Sequence, residues 1–312
     1  MFGTSIWVWA GFSVILLGLL WIDLRLFHRK DHKVEPREAL LESAAWIAIA
    51  LVFNAGIYFW RGPQVAVEFL TGYLIEKSLS VDNIFVILVI FQSFQVPAKF
   101  QHRVLYYGVL GALVMRGAFV AAGVKLLEVF HPILYVFGAL LLITGIRMIL
   151  PRKKEPHPEK SWIVRLAGRF LPTTDEFQGH DFFVRREGRL LATPLFLALI
   201  TVEVTDVFFA VDSVPAVLAI TRDAFIVFSS NAFAILGLRA LYFVLADLLP
   251  RFRFLHQGLA LLLAFVGIKM IASQWVDLPD LASLGVVAGI LALTVAASLL
   301  WPSKPGPASA GP

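Results

Sequence analysis

Ile75-Glu76-Lys77-Ser78-Leu79-Ser80-Val81-Asp82-Asn83 and Thr205-Asp206-Val207-Phe208-Phe209-Ala210-Val211-Asp212-Ser213 are the two stretches that decide how this chain is built. Each lies inside a long apolar run, and setting Asp82 on Asp212 places Glu76 on Asp206 and Asn83 on Ser213. Two further matches follow in the same order. Arg116 falls on Arg239, and Gly145-Ile146-Arg147-Met148 falls on Gly267-Ile268-Lys269-Met270, at offsets of 130, 123 and 122 residues for the three features. One such match is chance, whereas three co-linear ones mark an internal repeat. Each copy holds three apolar runs, an odd number, so two copies crossing a bilayer must do so in opposite senses. Inverted repeats of this kind are common in secondary transporters, whose binding site lies near the midplane at the repeat interface. Inherited architecture without transport is the alternative.

Composition agrees with a bilayer. Of 312 residues, 59% are hydrophobic and 16% charged, against roughly 25% charged in soluble domains. Apolar runs near 6–22, 43–60, 66–92, 104–125, 131–150, 193–221, 224–248, 254–273 and 281–300 each approach or exceed the ~20 residues a helix needs to cross the hydrocarbon core. The expected fold is therefore an all-α integral membrane protein of about nine transmembrane helices containing two inverted three-helix repeats. The first run has no basic residue before it, and Arg25, Arg29 and Lys30 follow it. That polarity is opposite to a signal peptide's, so a retained span is expected.

Lysine and arginine set the orientation. Alternate connections plus the tail carry 19 basic residues, nine of them in 151–192, and the remaining connections carry only Arg61, Lys125 and Arg222. By the positive-inside rule the N-terminus is outside and the C-terminus cytoplasmic. The same placement explains the net charge of +5 as cytoplasmic anchoring, with no nucleic-acid partner expected.

The chain divides into 1–42, the first span and a basic loop; 43–150, spans two to five with repeat 1 at 66–150; 151–192, a cytoplasmic loop; 193–300, spans six to nine with repeat 2 at 193–273; and 301–312, a Pro/Gly/Ala/Ser tail expected to be disordered. Within the loop, Trp162 to Phe170 reads as an amphipathic surface stretch. Phe182-Phe183-Val184 and Leu190-Leu191 flank a Glu187-Gly188 turn, the pattern of a hairpin. Asp175, Glu176, His180 and Asp181 are a metal sensor on one reading. On the other, which loop composition favours, they are solvated polar groups.

The acids inside the spans carry the chemistry. A charge at the bilayer centre costs at least ~2.5–3.5 kcal/mol, so Glu76, Asp82, Glu203, Asp206 and Asp212 must face the bundle interior and be paired, protonated or hydrogen-bonded. Lys77, Arg116 and Arg239 are available as internal partners, yet five acids face three bases. A reversible cation or proton site accounts for the excess. Glu76 and Asn83 are seven apart and share a helix face, as do Asp206 and Ser213. Glu76 and Asp82 are six apart, about 9 Å along a continuous helix, too far to share one ion unless the helix bends. Pro215 strips the Val211 carbonyl of its helical partner beside Asp212, which is either an ordinary kink or a hard-cation ligand pair. Carboxylate, amide, hydroxyl and carbonyl oxygens suit Mg2+, Ca2+ or Mn2+ rather than zinc or copper. His131 and His256 lie near helix ends and read as interfacial. The chain has no cysteine, so disulfides and thiolate ligands are excluded.

These residues also carry a resemblance. Glu76-x-x-Leu79-Ser80-x-Asp82-Asn83 and Phe209-Ala210-x-Asp212-Ser213-x-Pro215-Ala216 look like the paired signatures of the TerC/Alx family of bacterial integral membrane proteins. Ser230-Asn231-x-Phe233-Ala234-Ile235-Leu236-Gly237-Leu238-Arg239 and Thr173-Thr174-Asp175-Glu176 are similar to further family blocks. The resemblance runs from about residue 35 to 275; the proline-rich tail is no part of it. It implies a bacterial inner-membrane protein of a family tied by name to tellurium resistance and by function to manganese efflux, distantly related to LysE-type exporters.

The expectation is thus a transporter, not an enzyme, that exports Mn2+ or another hard divalent cation by alternating access, with proton exchange as the coupling. Glu76, Asp82, Asn83, Asp206, Asp212 and Ser213 are the candidate metal ligands, with Glu76 and Asp206 at the midplane and Asp82 and Asp212 at the two approaches. Glu203, Arg116 and Arg239 are candidates for coupling or ion pairing. No cofactor or catalytic group is expected. The bilayer and the cation are the expected partners, together with a second copy or the secretion machinery. A membrane scaffold that hands metal to secreted proteins without transporting it is the alternative from another class. An intramembrane hydrolase has no His-Glu-x-x-His motif or serine-nucleophile elbow to support it. A topology reporter fused after Arg186 is expected to read cytoplasm and one inserted near Arg222 the outside; both reading the same side would refute the nine-span arrangement.

Overall fold

The computed structural model describes residues 4–27, 36–130, 132–149, 172–174, 177, 179–186, 189–245, 254–273, 275 and 278–301. Among them are ten helices and one hairpin: α1 (Ile6–Phe27), α2 (Pro36–Arg61), α3 (Pro63–Ser93), α4 (Ala98–Val129), α5 (Ile133–Ile149), β1 (Phe183–Arg186), β2 (Arg189–Ala192), α6 (Pro194–Leu218), α7 (Ala224–Leu236), α8 (Leu238–Leu245), α9 (Leu255–Ala272) and α10 (Asp280–Leu300). A helix satisfies its own backbone hydrogen bonds, which is why apolar runs of this length become helices in lipid. Trp7 (81% exposed) and Phe59 (86%) stand on the outside of α1 and α2, a surface that hydrocarbon solvates and water does not.

Five helices are long and apolar enough to cross a membrane: α1, α2, α4, α6 and α10. A sixth span arises if α7 and α8, which meet at 42°, count as one. α3 is longer than most of these but carries Glu68, Glu76, Lys77 and Asp82. α5 and α9 are apolar and shorter. The apolar run at 224–248 thus contains a break that its hydropathy does not show. Gly237 lies between α7 and α8, and the Lys77 ammonium fills the space beside it, donating to the Ala234 carbonyl at 3.4 Å. A Cβ on Gly237 would lie 2.7 Å from that ammonium.

α3 is the centre of the bundle, packed against α2, α6, α7, α8, α9 and α10. Its start is set by Gly62, whose φ of +93° is open to glycine and costly for other residues. Pro63 follows in the first turn, where its missing N–H is harmless. Close approaches fix the relative directions. Gly72 lies by Val217 and Glu76 by Ser213, so α3 and α6 run antiparallel. Gly72 also lies by Ser230, and Lys77 reaches Ala234, so α3 and α7 run parallel. Gly108 lies by Val202 and Gly123 by Leu218, so α4 and α6 run parallel. Gly138 meets Gly267 and Gly145 meets Ala260, so α5 and α9 cross antiparallel, with small residues letting the backbones touch.

The expected hairpin is present, antiparallel with Val184 opposite Leu191; its turn, 187–188, lies outside the described residues. Thr193 ties it to α6, its hydroxyl within hydrogen-bonding distance of the Asp181 (2.8 Å) and Phe182 (3.1 Å) carbonyls. The stretch 162–170, Asp175, Glu176, His131 and the tail 302–312 also lie outside the described residues, as does the side chain of His256. His180 and Asp181 approach to 3.8 Å on the surface.

The α5–α9 crossing leaves no room for a side chain at Gly267, whose Cβ would lie 2.7 Å from the Gly138 carbonyl oxygen. Gly267→Leu is expected to cost about 1–3 kcal/mol by overpacking, read as a lowered Tm in detergent. Gly289→Leu, at a glycine with open space around it, should leave Tm unchanged, and equal Tm values for the two would contradict this packing.

Candidate functional site

Two polar stripes face each other across the α3–α6 contact. On α3 the stripe is Tyr73, Glu76, Ser80 and Asn83, spaced three or four apart and therefore on one face; all four are buried. On α6 the positions at the same repeat offset are Glu203, Asp206, Ala210 and Ser213. Because the helices are antiparallel, Glu76 comes opposite Ser213. Asn83 and Asp206 meet at the lining of one small cavity.

Arg116 of α4 joins the stripes. One guanidinium nitrogen, Nη1, donates to the Glu76 carboxylate in a short contact and to Asn231 Oδ1 of α7 at 2.9 Å. The other, Nη2, donates to Asp206 Oδ1 at 3.2 Å. Arg116 is 1% exposed and Glu76 fully buried. A buried charge survives only when paired and hydrogen-bonded, and this pairing spans four helices. It is incomplete: Asp206 Oδ2, Arg116 Nε and the Ser80 hydroxyl are buried without a hydrogen-bond partner, and the Ser213 hydroxyl lies beside Glu76.

Two cavities flank the stripes, and both are lined by Asn83 and Phe209. The one against α4 reaches Asp206 and measures about 20 Å³. The one against α5 and α9 reaches Asp212 and Ser213 and measures about 110 Å³. Asp212 is half-buried there, and Thr144 of α5 donates to its Oδ1 at 3.1 Å. Glu203 packs its carboxylate over Gly111 of α4, where any Cβ would collide with it. The backbone of Asp82 lies within α3, and its side chain lies outside the described residues. Among the described residues no three His, Cys, Asp or Glu side chains converge on a metal position.

Of the sequence-derived set, the structure brings together Glu76, Asp206 and Arg116 at one point and Asn83, Asp212 and Ser213 around one cavity. Arg239 is placed elsewhere. Its Nη2 donates to Asp23 Oδ1 of α1 at 2.7 Å and to Glu42 of α2 in a shorter contact, and all three groups are under 10% exposed. Arg116 and Arg239, repeat mates in sequence, thus each hold two carboxylates, but Arg239 draws its pair from helices outside the repeat. Lys77 likewise reaches a helix end rather than an acid. Sequence reasoning missed Asp23 and Glu42, each one residue outside an apolar run and beside the basic loop. Their signal was position: both fall at the edge of apolar runs. Thr144 and Gly111 gave no signal, since their roles exist only in the packed bundle, and Asn231 stood in a family block with no role of its own.

Comparison with known proteins gives a consistent result. Residues 61–305 match the family described as "Integral membrane protein TerC family". The chain is 50% identical over 293 residues, 94% of its length and 92% of the other's, to an uncharacterized membrane protein of Myxococcus xanthus, STKORF319. It is 48% identical over 297 residues, 92% of each chain, to Alx of Escherichia coli (strain K12), which bears the name of a candidate membrane-bound redox modulator. It is 39% identical over 292 residues, 94% of its length and 97% of the other's, to an uncharacterized membrane protein of Rickettsia bellii (strain RML369-C). No solved structure matches the chain.

Arg239→Met strands two buried carboxylates, which is expected to cost about 3–5 kcal/mol and lower Tm in detergent by many degrees. Adding Glu42→Gln and Asp23→Asn should recover most of that loss. A single mutant as stable as the wild type would show that the triad is not a stabilising ion pair.

Proposed function

The chain belongs to the TerC family of integral membrane proteins, and on that premise we propose that it is a secondary transporter, not an enzyme, that exports a divalent cation. Mn2+ is the foremost candidate, moved outward across a bacterial cytoplasmic membrane by alternating access in exchange for protons. The observation that carries this reading is Arg116 between Glu76 and Asp206. A transporter must present its site both loaded and empty, and an empty pair of buried carboxylates is prohibitively unstable without a counter-charge. Arg116 supplies that charge from the protein itself. It leaves the second oxygen of Asp206 without a partner and the second oxygen of Glu76 with only the Ser213 hydroxyl beside it. A buried orphan costs about 1–3 kcal/mol, a cost that an arriving cation relieves. The oxygen-only donor set, Glu76, Asp82, Asn83, Asp206, Asp212 and Ser213, favours a hard divalent ion, and the family resemblance selects manganese among them.

The helix directions support two inverted repeats in a nine-span bundle, and the basic-residue asymmetry puts its N-terminus outside. The contacts Gly138–Gly267 and Gly145–Ala260 exchange with one another when each residue is shifted by the 122-residue repeat offset, as two copies around a pseudo-two-fold axis require. Antiparallel α3–α6 and parallel α4–α6 and α3–α7 agree with strict alternation of spans. The redox name of the Alx relatives is compatible with this reading. A chain without cysteine cannot run thiol exchange on its own side chains, whereas export of a redox-active metal alters a cell's redox state without thiols.

Glu76→Gln and Asp206→Asn preserve side-chain volume and remove the charge. Each is expected to slow Mn2+ efflux from metal-loaded cells at least tenfold at near-normal membrane abundance, and Asp82→Asn and Asp212→Asn are expected to do the same. Wild-type efflux from Glu76→Gln or Asp206→Asn would remove the midplane pair from the path.

A further inference from the structure

The larger cavity differs from the Arg116 cluster in charge and in size. It lies between α3, α5, α6 and α9, contains no cationic side chain in its lining, and carries four oxygen-bearing residues, Asn83, Thr144, Asp212 and Ser213, on otherwise apolar walls. Its volume of about 110 Å³ holds several waters, because roughly 10–15 Å³ on this measure admits one. The cavity at Asp206, about 20 Å³, admits one water by the same measure. A divalent cation that arrives with part of its hydration shell therefore fits beside Asp212 and not beside Asp206.

The donors are disposed for such an ion. Ser213 is 2% exposed and lines this cavity, with its hydroxyl beside the Glu76 carboxylate. The Thr144 hydroxyl donates to one Asp212 oxygen, which fixes the carboxylate's orientation and leaves the threonine's lone pairs free to accept. One carboxylate plus neutral oxygens, completed by water, is a weak, hydrated set of the kind that hard cations with reluctant dehydration use. Such a set holds an ion loosely enough to release it.

We propose that Asn83, Thr144, Asp212 and Ser213 form a separate binding station for a partly hydrated divalent cation, and that Thr144 is its positioning residue. The station's existence rests on the cavity alone; its place on the exit side of the path rests on the transport reading. In the repeat, Thr144 falls on Val266 at the 122-residue offset, which carries no hydroxyl. The hydroxyl latch is therefore present on one side of the pseudo-symmetric path only, and the ion pauses on that side.

The test uses purified full-length protein in detergent with Mn2+ alone, titrated by electron paramagnetic resonance. Oxygen-17 water is added to count water ligands on the bound ion. The wild type is expected to bind Mn2+ with at least one water retained. Thr144→Val should weaken binding about tenfold or more, the loss typical when a group orienting a metal ligand is removed. Thr144→Ser should restore it, Asp212→Asn should abolish the water-retaining bound ion, and thermal unfolding should confirm that Thr144→Val is folded. No Mn2+ binding by the wild type, a bound ion without water, or Thr144→Val binding as tightly as Thr144→Ser would each overturn the station. Vesicles separate the two levels. Absence of wild-type Mn2+ flux with Thr144-dependent binding intact would remove the transport reading and keep the station. Normal flux with Thr144-independent binding would do the reverse.

Discussion

The fold turns on one guanidinium. Arg116 reaches Glu76 on α3, Asp206 on α6 and Asn231 on α7 from its own helix α4, deep inside the bundle. Removing one member of such a cluster is worse than never having had it, because the charges left behind are buried and bare. The geometry is consequently rigid in composition but open in occupancy. Two carboxylates oppose one arginine, and the second oxygen of Asp206 has no partner.

Around this point small residues and a second buried charge cluster hold the helices together. α5 and α9 cross through small residues at Gly138–Gly267 and Gly145–Ala260. Arg239 turns to Asp23 and Glu42, so α1 and α2 are tied to α8 by a buried triad. The α7–α8 span touches both clusters, with Asn231 before the break at Gly237 and Arg239 after it. Lys77, the residue next to Glu76, lies in the break itself.

Much of this was legible in the sequence, for identifiable reasons. Apolar runs of span length have one stable conformation in lipid, so the helices could be placed from hydropathy. Glu187-Gly188 between short alternating segments announced the hairpin. The sequence comparison singled out Glu76 and Asp206 as matching positions, and Arg116 bridges the two in the bundle. What stayed hidden depends on three-dimensional packing. Gly237 interrupts an apolar run without changing its hydropathy, so the 42° bend leaves no trace in composition. Repeat logic sent Arg239 to the acids of α3 and α6, and only the packing of α1 and α2 shows nearer carboxylates. Thr144 is one of many threonines in apolar helices, most of which back-bond to their own turn, as Thr201 and Thr205 do here.

The central claim is that this chain alone moves a divalent cation through the α3–α6 contact. Its most direct test is Mn2+ flux in liposomes containing only the purified protein, followed with an enclosed metal-sensitive dye. The account predicts saturable Mn2+ entry well above that of protein-free vesicles, lost when Glu76 and Asp206 are both neutralised. Flux indistinguishable from protein-free vesicles, with folded protein in the membrane, would contradict it.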